Sequence, residues 1–316
     1  MADMRFDEDV VIITGSGRGL GREYALAFAQ RGASVVVNDP GMERDANGES
    51  RSVAQQVVDE ITDIGGRAIA DINSVATPEG AAAIIRTALD TFGRVTVLVN
   101  NAGIISFAPL TKITDTDWRL MQSVTLDGTF YMCRAVWTHM AAQGFGRIIN
   151  TTSNAGFAGN ETLVAYAAAK MGVAGITKAL AQEVADTGIT VNAVAPMAVT
   201  RMNREAFFGG SDSAGSPDWR DDIRSGKVPM GPPEIVAPTV LWLAHRTTKQ
   251  NGAIFSSSSG KVARVGFVIG EGFFDPHHGP DDLRAHSADV CRLGEALEPS
   301  CTADELALIP TLYQRA

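Results

Sequence analysis

Short apolar runs alternate with longer amphipathic stretches over most of the chain. Residues 10–13 form an apolar run followed by glycines, as in a buried strand, and residues 18–31 then carry apolar side chains at helical spacing. The same alternation predicts further strands at residues 34–38, 67–70, 95–99, 147–151, 189–194 and 253–255, and helices at 52–64, 78–92, 114–142, 163–186 and 234–244. Strands and helices in this order predict an α/β fold, a doubly wound parallel (Rossmann) sheet with helices on both faces.

Two segments interrupt this alternation. Residues 40–51 are too long for a tight strand-to-helix turn and predict an inserted loop. Residues 203–232 are rich in Gly, Ser and Pro, which is typical either of a mobile lid over a substrate site or of a plain surface loop. The periodicity fades after residue 272. We therefore predict a single domain over residues 1–272, which includes the substrate loop 203–232, and a C-terminal extension, residues 273–316, packed on it.

Composition narrows the classes of function. The chain has 316 residues and a formal net charge of −9, which disfavours nucleic-acid binding because phosphate contacts need clustered Lys and Arg. The three cysteines show no CxxC or Cys/His spacing, so we predict a reducing, cytoplasmic setting and no metal site. We find no signal-peptide pattern and no apolar run of about 20 residues, and therefore expect no membrane span.

A glycine-rich turn joins the first predicted strand to the first helix. It comprises residues 14–21, Thr-Gly-Ser-Gly-Arg-Gly-Leu-Gly. Glycines permit a sharp turn and a close approach of the backbone to a pyrophosphate, and the helix start offers N–H groups to the phosphates. A glycine-rich turn alone is weak evidence, but its position directly after a buried strand favours a dinucleotide site.

Asp39 follows the second predicted strand. A carboxylate at this position can accept hydrogen bonds from an adenosine ribose and would repel a 2′-phosphate, which predicts NAD as the cofactor. Arg18 in the turn favours the opposite choice, since it could pair with a 2′-phosphate. We give Asp39 more weight, because the adjacent Pro40 supplies no cation.

Three residues form a candidate catalytic set. Tyr166 and Lys170 are four residues apart on one predicted helix and therefore share a face. Ser153 closes the preceding strand, at the sheet edge where ligands bind in such folds. Tyr has a reference pKa of about 10, so it needs a neighbouring positive charge to act as a base near pH 7. Lys170 and an oxidised nicotinamide are expected to lower the Tyr166 pKa, and Ser153 to hold the substrate oxygen.

The chain resembles the short-chain dehydrogenase/reductase family over about residues 8–260. The resemblance rests on the glycine turn, on the set of Ser153, Tyr166 and Lys170, on Asn100-Asn101-Ala102-Gly103 and on Pro196 followed by Thr200. The resemblance implies that Lys170 also binds the nicotinamide ribose. Together the turn, Asp39 and the family positions give a cofactor-binding set of Gly15, Ser16, Arg18, Gly19, Leu20, Gly21, Asp39, Asn73, Ser74, Asn101, Ala102, Gly103, Tyr166, Lys170, Pro196, Val199 and Thr200.

The chain departs from the family pattern at several positions. Thr125 stands where the family has an Asn that anchors a proton-relay water, so we expect its backbone carbonyl to take over that role. Met197 replaces the usual Gly after Pro196, and the Val199 backbone and Thr200 hydroxyl are expected to reach the carboxamide. Asn73, where the family often has Asp, is expected to accept a hydrogen bond from the adenine amino group.

Within the family, the chain is most similar to the (3R)-hydroxyacyl-CoA dehydrogenase unit of peroxisomal multifunctional enzymes. The likeness rests on residues 37–39 with the 40–51 insertion, on 90–94, on 137–140 and on an ending at 257–262 without the usual Gly-Gly. It implies NAD-dependent oxidation of a (3R)-hydroxyacyl-CoA, a sterol-derived acyl-CoA or a 17β-hydroxysteroid, in a homodimer or homotetramer. Candidate cations for CoA phosphates are Arg201, Arg204, Lys227, Lys261 and Arg264.

Two other functions stay open at this point. An NADPH-dependent 3-oxoacyl carrier-protein reductase would require Arg18 to outweigh Asp39. A noncatalytic NAD-binding protein is favoured by Thr125 and disfavoured by the intact set of Ser153, Tyr166 and Lys170.

Overall fold

A computed structural model describes residues 4–44, 50–184, 186–200, 219–225 and 230–307. The chain divides into two compact units, the first ending at Arg264 and the second beginning at Val265. Most of the predicted substrate loop 203–232 lies outside the described residues. The predicted packing of the C-terminal extension on the main domain stays a prediction.

The described secondary structure follows the predicted alternation of strands and helices. The strands are β1 Val10–Thr14, β2 Ser34–Asn38, β3 Met42–Arg44, β4 Ser50–Ser52, β5 Arg67–Asp71, β6 Val97–Asn100, β7 Gly146–Thr151, β8 Ile189–Met197, β9 Ile254–Ser258 and β10 Lys261–Val265. The helices are α1 Gly19–Gln30, α2 Val53–Asp63, α3 Pro78–Phe92, α4 Asp115–Gln122, α5 Gly128–Ala142, α6 Asn154–Ala158, α7 Val164–Glu183, α8 Trp219–Arg224, α9 Ala237–Ala244, α10 Pro280–Ala285, α11 Ser287–Val290 and α12 Thr302–Leu306.

Eight of these strands form one sheet in the order β10-β9-β8-β7-β6-β1-β2-β5. The pairs from β5 across to β9 are parallel, which confirms the predicted doubly wound α/β fold. Strand β1 lies between β2 and β6, so the chain reverses its direction of winding beside β1. In folds of this kind, ligands bind at such a switch point, beyond the carboxyl ends of the strands.

The apolar core occupies both faces of the sheet. Every residue of β1 is buried, and Val11 and Ile13 face a cluster that includes Tyr24 and Phe28 of α1. The alternate residues of β1 belong to a second cluster with α3 and α5. Because successive side chains of a strand point to opposite faces, a continuous apolar run is what a sheet covered on both sides requires.

Three local features differ from the sequence prediction. The insertion is not a plain loop, because β3 and β4 pair as an antiparallel ladder. The predicted helix 114–142 is interrupted by a π-helical turn, Ser123–Asp127. A final strand, β10, follows β9 after the two residues Ser259 and Gly260, which both have positive φ. So short a connection between paired strands makes this edge of the sheet antiparallel.

The second unit has its own contacts. A backbone bridge joins Ile269 to Leu297, and the Phe273 ring stacks on the His286 ring with 4.2 Å between the centroids. Asp275 and His278 lie in a turn in which the His278 ring contacts the Asp275 carbonyl oxygen. Among the described residues, no group of three or more His, Cys, Asp or Glu side chains could hold a metal ion.

Candidate active site

Polar side chains collect where the central strands end. Thr14 of β1, Asn38 of β2 and Asp71 of β5 are in register at the carboxyl edge of the sheet. Asn100, the last residue of β6, lies on the other side of β1. The edge beside β1 is thus lined by polar groups from successive strands, in the position where a doubly wound sheet holds a ligand.

The glycine-rich turn is fastened to the end of β6 by side-chain hydrogen bonds. The Thr14 hydroxyl accepts from the backbone N–H groups of Asn101 and Ala102 at 3.1 and 3.0 Å. The Asn101 amide donates in return to the Thr14 and Gly15 carbonyls, both at 2.9 Å. Thr14 was not among the predicted site residues, because its partners lie far along the chain and no local motif identifies them.

The glycines of the turn are required by space and by backbone conformation. A Cβ on Gly15, which has a φ of +64°, would lie 2.8 Å from the Ala102 Cα. A Cβ on Gly21 would lie 2.4 Å from the Gly15 carbonyl oxygen. Gly19 has a φ of +55°, and a Cβ there would lie 3.7 Å from the Thr200 side chain, so the turn and the segment that follows β8 are neighbours.

The other residues of the turn have separate functions. The Ser16 hydroxyl is buried and donates to the Ile13 carbonyl at 2.7 Å, while its N–H donates to the Asn38 carbonyl. Ser16 therefore shapes the turn from within. Leu20 packs on the core, and Arg18 is the N-cap of α1 but makes no side-chain cap. A helix start without a side-chain cap is suited to an anion such as phosphate.

The Asp39 carboxylate is fixed beside the turn. One oxygen accepts from the Gly17 N–H at 3.0 Å and the other from the Gly41 N–H at 2.8 Å. A carboxylate offers about four acceptor positions, so two remain for ribose hydroxyls. Nearby, the Arg18 guanidinium lies 3.2 Å from the Glu43 carboxylate of β3.

Asp71 orients the predicted adenine contact, Asn73. Its buried carboxylate accepts from the Asn73 N–H at 2.9 Å, the Asn73 amide at 3.0 Å and the Asn38 amide at 2.9 Å. With its amide nitrogen so engaged, Asn73 keeps its carbonyl oxygen as an acceptor, as expected for an adenine amino group. The Ser74 hydroxyl accepts from the Ala76 N–H at 3.2 Å. Sequence reasoning missed Asp71.

Lys170 lies deep in the site, 4% exposed. Its ammonium donates to the Thr151 carbonyl at the end of β7 at 2.7 Å. A Cβ on Gly103 would lie 3.3 Å from this nitrogen and 3.6 Å from the Thr125 hydroxyl. The structure therefore brings Lys170, Gly103 and Thr125 together. Thr125 itself is fully buried in the π-helical turn, and its carbonyl accepts from the Thr129 hydroxyl at 2.8 Å.

Ser153 and Tyr166 both lie at helix starts, and their side chains are neighbours. Ser153 is the N-cap of α6, and its hydroxyl accepts from the Ala155 N–H at 3.2 Å. Tyr166 lies in the first turn of α7, and the Ser153 side chain is near enough to lower the pKa of its phenol. The Lys170 nitrogen is 5.8 Å from the centre of the Tyr166 ring. The predicted catalytic set therefore assembles at one place.

Burial dominates the ionisation of this set. It raises the pKa of Tyr166 above its usual 10, an effect that the nearby Ser153 side chain opposes. Burial also lowers the pKa of Lys170 to about 8. The sequence-based expectation was that Lys170 helps to lower the Tyr166 pKa. In the protein alone this is not the result, because removal from water disfavours the charged form of both groups.

The end of β8 supplies the last predicted cofactor residues. Pro196 lies within the strand, and the Val199 N–H donates to the Gly231 carbonyl at 2.9 Å, so only the Val199 carbonyl is left for a carboxamide. Met197, which replaces the usual glycine, has its sulfur 2.8 Å from the Asn154 amide nitrogen. Of the candidate cations for CoA, Lys261 and Arg264 are exposed on β10, whereas Arg201, Arg204 and Lys227 lie outside the described residues.

The arrangement fits a dinucleotide. The glycine turn leaves space that a Cβ would fill. The start of α1, which has no side-chain cap, follows this turn, and the Asp39 carboxylate accepts a hydrogen bond from it. At the other end, a phenol, a hydroxyl and an ammonium lie together. Such a site defines a class of enzyme that exchanges a hydride and a proton with an alcohol or a carbonyl.

Comparison with known proteins agrees with this class. The profile of the family described as short chain dehydrogenase matches residues 9–208. Peroxisomal multifunctional enzyme type 2 of Mus musculus is 42% identical over 262 residues, which are 83% of this chain and 33% of that protein. A short-chain type dehydrogenase/reductase of Mycobacterium tuberculosis is 40% identical over 288 residues, 91% of this chain and 95% of that protein.

A solved structure is also similar. The crystal structure of a short chain dehydrogenase from Mycobacterium avium superposes with a TM-score of 0.75 at 36% identity, covering 93% of this chain and 97% of that one. The chain belongs to the short-chain dehydrogenase/reductase family. It is an oxidoreductase that uses a nicotinamide cofactor and a small-molecule substrate, and it is similar to one third of the mouse peroxisomal enzyme. Within the described residues, no helix has the length and apolarity to cross a membrane.

Proposed function

We propose that the protein oxidises the secondary alcohol of a (3R)-hydroxyacyl-CoA to the 3-oxoacyl-CoA with NAD⁺. The observation that carries this proposal is the position of Tyr166 near Ser153, with the Lys170 nitrogen 5.8 Å from the centre of its ring, in the same site as a glycine turn flanked by Asp39. Each of these groups has a part in removing a proton and a hydride from a carbinol.

The proposed reaction assigns one role to each side chain. Tyr166, as tyrosinate, accepts the hydroxyl proton of the substrate. The Ser153 hydroxyl donates to the substrate oxygen while its charge changes. Lys170 binds the nicotinamide ribose, and its charge adds to that of the oxidised nicotinamide in favouring the tyrosinate. NAD⁺, when bound, supplies a ring carbon that accepts the hydride from the carbinol carbon.

The proton leaves Tyr166 through the Lys170 side of the site. The Thr125 carbonyl would hold a relay water, a role that requires no particular side chain at that position. Thr125→Ala should then leave the rate of oxidation within about threefold of wild type. A loss of a hundredfold would assign the relay to the hydroxyl instead.

Separate observations support NAD as the cofactor and an acyl-CoA as the substrate. Asp39 has acceptor positions for ribose hydroxyls and would repel a 2′-phosphate. The substrate class rests on the likeness to multifunctional enzymes that the sequence motifs and the mouse relative share. A sterol-derived acyl-CoA or a free 17β-hydroxysteroid is the bulky substrate that the same likeness suggests.

A substrate screen tests the proposal. NADH formation is measured with NAD⁺ and short or long (3R)-hydroxyacyl-CoAs, a sterol-derived acyl-CoA and 17β-oestradiol, with the (3S)-hydroxyacyl-CoAs as matched controls. We expect turnover of the (3R) thioesters and little of the (3S). If only oestradiol were oxidised, the substrate would be a hydroxysteroid and not an acyl-CoA. If no alcohol were oxidised, the proposal would be overturned.

A second candidate is an NADPH-dependent 3-oxoacyl carrier-protein reductase. It is favoured by the location of Arg18, whose guanidinium lies near the Asp39 carboxylate. Dissociation constants of NADH and NADPH decide between the two. Tighter binding of NADPH by the wild-type protein would favour the reductase.

We also propose that the protein is a homodimer or a homotetramer. Within the described part of the chain, helices α4, α5 and α7 carry the exposed apolar side chains Trp118, Leu120, Phe130, Val164 and Met171. Faces of this kind are suited to burial against a second copy. Sedimentation should show a dimer or tetramer at micromolar concentration, and a monomer alone would contradict this.

The cytoplasm is the location that we propose. Cys133, Cys291 and Cys301 are all free thiols, as in a reducing compartment. Fractionation of the source cells should recover the protein with cytoplasmic markers, and recovery with another compartment would refute the assignment.

A further inference from the structure

The insertion between β2 and α2 places an acidic side chain on the glycine turn. Strand β3 of the insertion carries Glu43, and its carboxylate pairs with the Arg18 guanidinium at 3.2 Å. Arg18 belongs to the glycine turn, whereas Glu43 belongs to a segment that an ordinary tight turn after β2 would not contain. The ion pair therefore ties the insertion to the cofactor turn.

The Arg18 guanidinium lies at the end of the site where an adenosine ribose is expected. A Cβ on Gly41 would lie 2.9 Å from an Asp39 oxygen and 3.6 Å from an Arg18 nitrogen. Arg18 and Asp39 thus flank the same backbone position. A cation there would pair with a ribose 2′-phosphate if it were released, and the phosphate would carry a charge of about −1.5 to −2 near neutral pH.

Glu43 has a second cationic neighbour, but that residue has its own partner. Arg51 lies directly opposite Glu43 in the β3–β4 ladder. Its guanidinium is 3.6 Å from the Asp59 carboxylate of α2. Arg51 is thereby drawn toward α2, and Glu43 is left to pair with Arg18.

We propose that Glu43 is a positioning residue that sets the cofactor preference by holding Arg18. Its carboxylate engages the guanidinium that would otherwise bind a 2′-phosphate, and it adds a second negative charge beside Asp39. The proposal rests on the NAD preference proposed above. It also explains how a turn that contains an arginine can belong to an NAD-dependent enzyme.

The test is a double-mutant cycle on cofactor binding. Dissociation constants of NADH and NADPH are measured by fluorescence titration for the wild type, Glu43→Gln, Arg18→Gln and the double variant. Exposed charge pairs are weak, so breaking the pair costs little, whereas the released Arg18 gains a contact to the 2′-phosphate. We expect the dissociation constant of NADPH, divided by that of NADH, to fall about three- to tenfold in Glu43→Gln. Such a fall means that NADPH binding has become relatively stronger.

The Arg18→Gln background is the matched control. There, Glu43→Gln should change the ratio by less than about twofold, because no guanidinium is left to release. An unchanged ratio in the single variant would overturn the inference. An equal fall in both backgrounds would also overturn it, since the effect would then be general charge repulsion. A wild type that prefers NADPH would instead overturn the proposed NAD preference.

Discussion

The Lys170 ammonium nitrogen lies 5.8 Å from the centre of the Tyr166 ring, and burial moves the pKa of each group toward its neutral form. The Tyr166 pKa rises above 10, and the Lys170 pKa falls to about 8. The protein by itself therefore does not make the phenol acidic. The positive charge of an oxidised nicotinamide beside the ring is needed to favour the tyrosinate.

The first prediction concerns the pH dependence of the reaction. Oxidation needs Tyr166 deprotonated, so its rate at saturating NAD⁺ should rise about tenfold per pH unit and level off above the apparent pKa of the phenol. Reduction with NADH needs the protonated phenol and should fall as the pH rises. Initial rates in both directions between about pH 6 and 10 check this, and two flat profiles would contradict it.

The second prediction concerns stability and the buried Lys170. Its pKa is about 8 in the folded protein and 10.5 in the unfolded chain, so the unfolded chain binds more protons between these values. The free energy of unfolding should therefore rise with pH from about 8 to 10.5, by about 3 kcal/mol in all. Below pH 8 that contribution is missing, because the folded protein then holds a buried charge.

Lys170→Met should remove this rise and raise the free energy of unfolding at pH 7 by about 1–3 kcal/mol, while abolishing turnover. The lost hydrogen bond to the Thr151 carbonyl offsets part of the gain. Lys178→Met, at a partly exposed position of the same helix, is the matched control and should leave the rise in place. Urea denaturation at several pH values measures the free energy of unfolding. If it rose with pH in Lys170→Met as it does in the wild type, the rise would not come from Lys170.

The third prediction concerns the bonds between the glycine turn and β6. Thr14→Val keeps the shape of the side chain but leaves the Asn101 and Ala102 N–H groups without their acceptor. We expect a loss of about 2–4 kcal/mol in the free energy of unfolding and weaker NADH binding. Thr14→Ser keeps the hydroxyl and should stay near wild type. If Thr14→Val and Thr14→Ser had the same stability and NADH affinity, the Thr14 hydroxyl would not be needed to hold the turn against β6.

The fourth prediction compares two glycines. Gly21→Ala would place a Cβ 2.4 Å from the Gly15 carbonyl oxygen and should distort the turn, weakening NADH binding at least tenfold. A Cβ on Gly175, within α7, meets nothing within 4 Å. Gly175→Ala should therefore raise the free energy of unfolding by about 0.5–1 kcal/mol, with NADH affinity retained. Thermal unfolding and NADH titration of both variants measure the contrast, and equal NADH affinity would contradict it.

The sequence predicted the sheet and its long helices well, because their periodicity is strong. Every residue of β1 is apolar or small and buried, and helix α3 has the predicted bounds with a Pro start and a Gly end. The position of the glycine turn after β1 also predicted that the cofactor binds at the carboxyl edge of the sheet, beside β1. These features depend on local spacing, which a single sequence contains.

The features that sequence reasoning missed depend on tertiary structure. The β3–β4 ladder is short and charged and shows no alternation, so its strands resemble a loop in the sequence. The Thr14 hydroxyl finds its donors 87 and 88 residues further along the chain. The shifts in the pKa of Tyr166 and Lys170 arise from burial, which follows only from the packed helix α7.

One comparison tests the central claim most directly. NADH formation from NAD⁺ and a (3R)-hydroxyacyl-CoA is followed in a single turnover for the wild type and for Tyr166→Phe, with NAD⁺ affinity measured in parallel. We predict a rate about 10²–10⁴-fold lower in the variant, with NAD⁺ affinity retained. An equal rate in the variant would contradict the account of Tyr166 as the base.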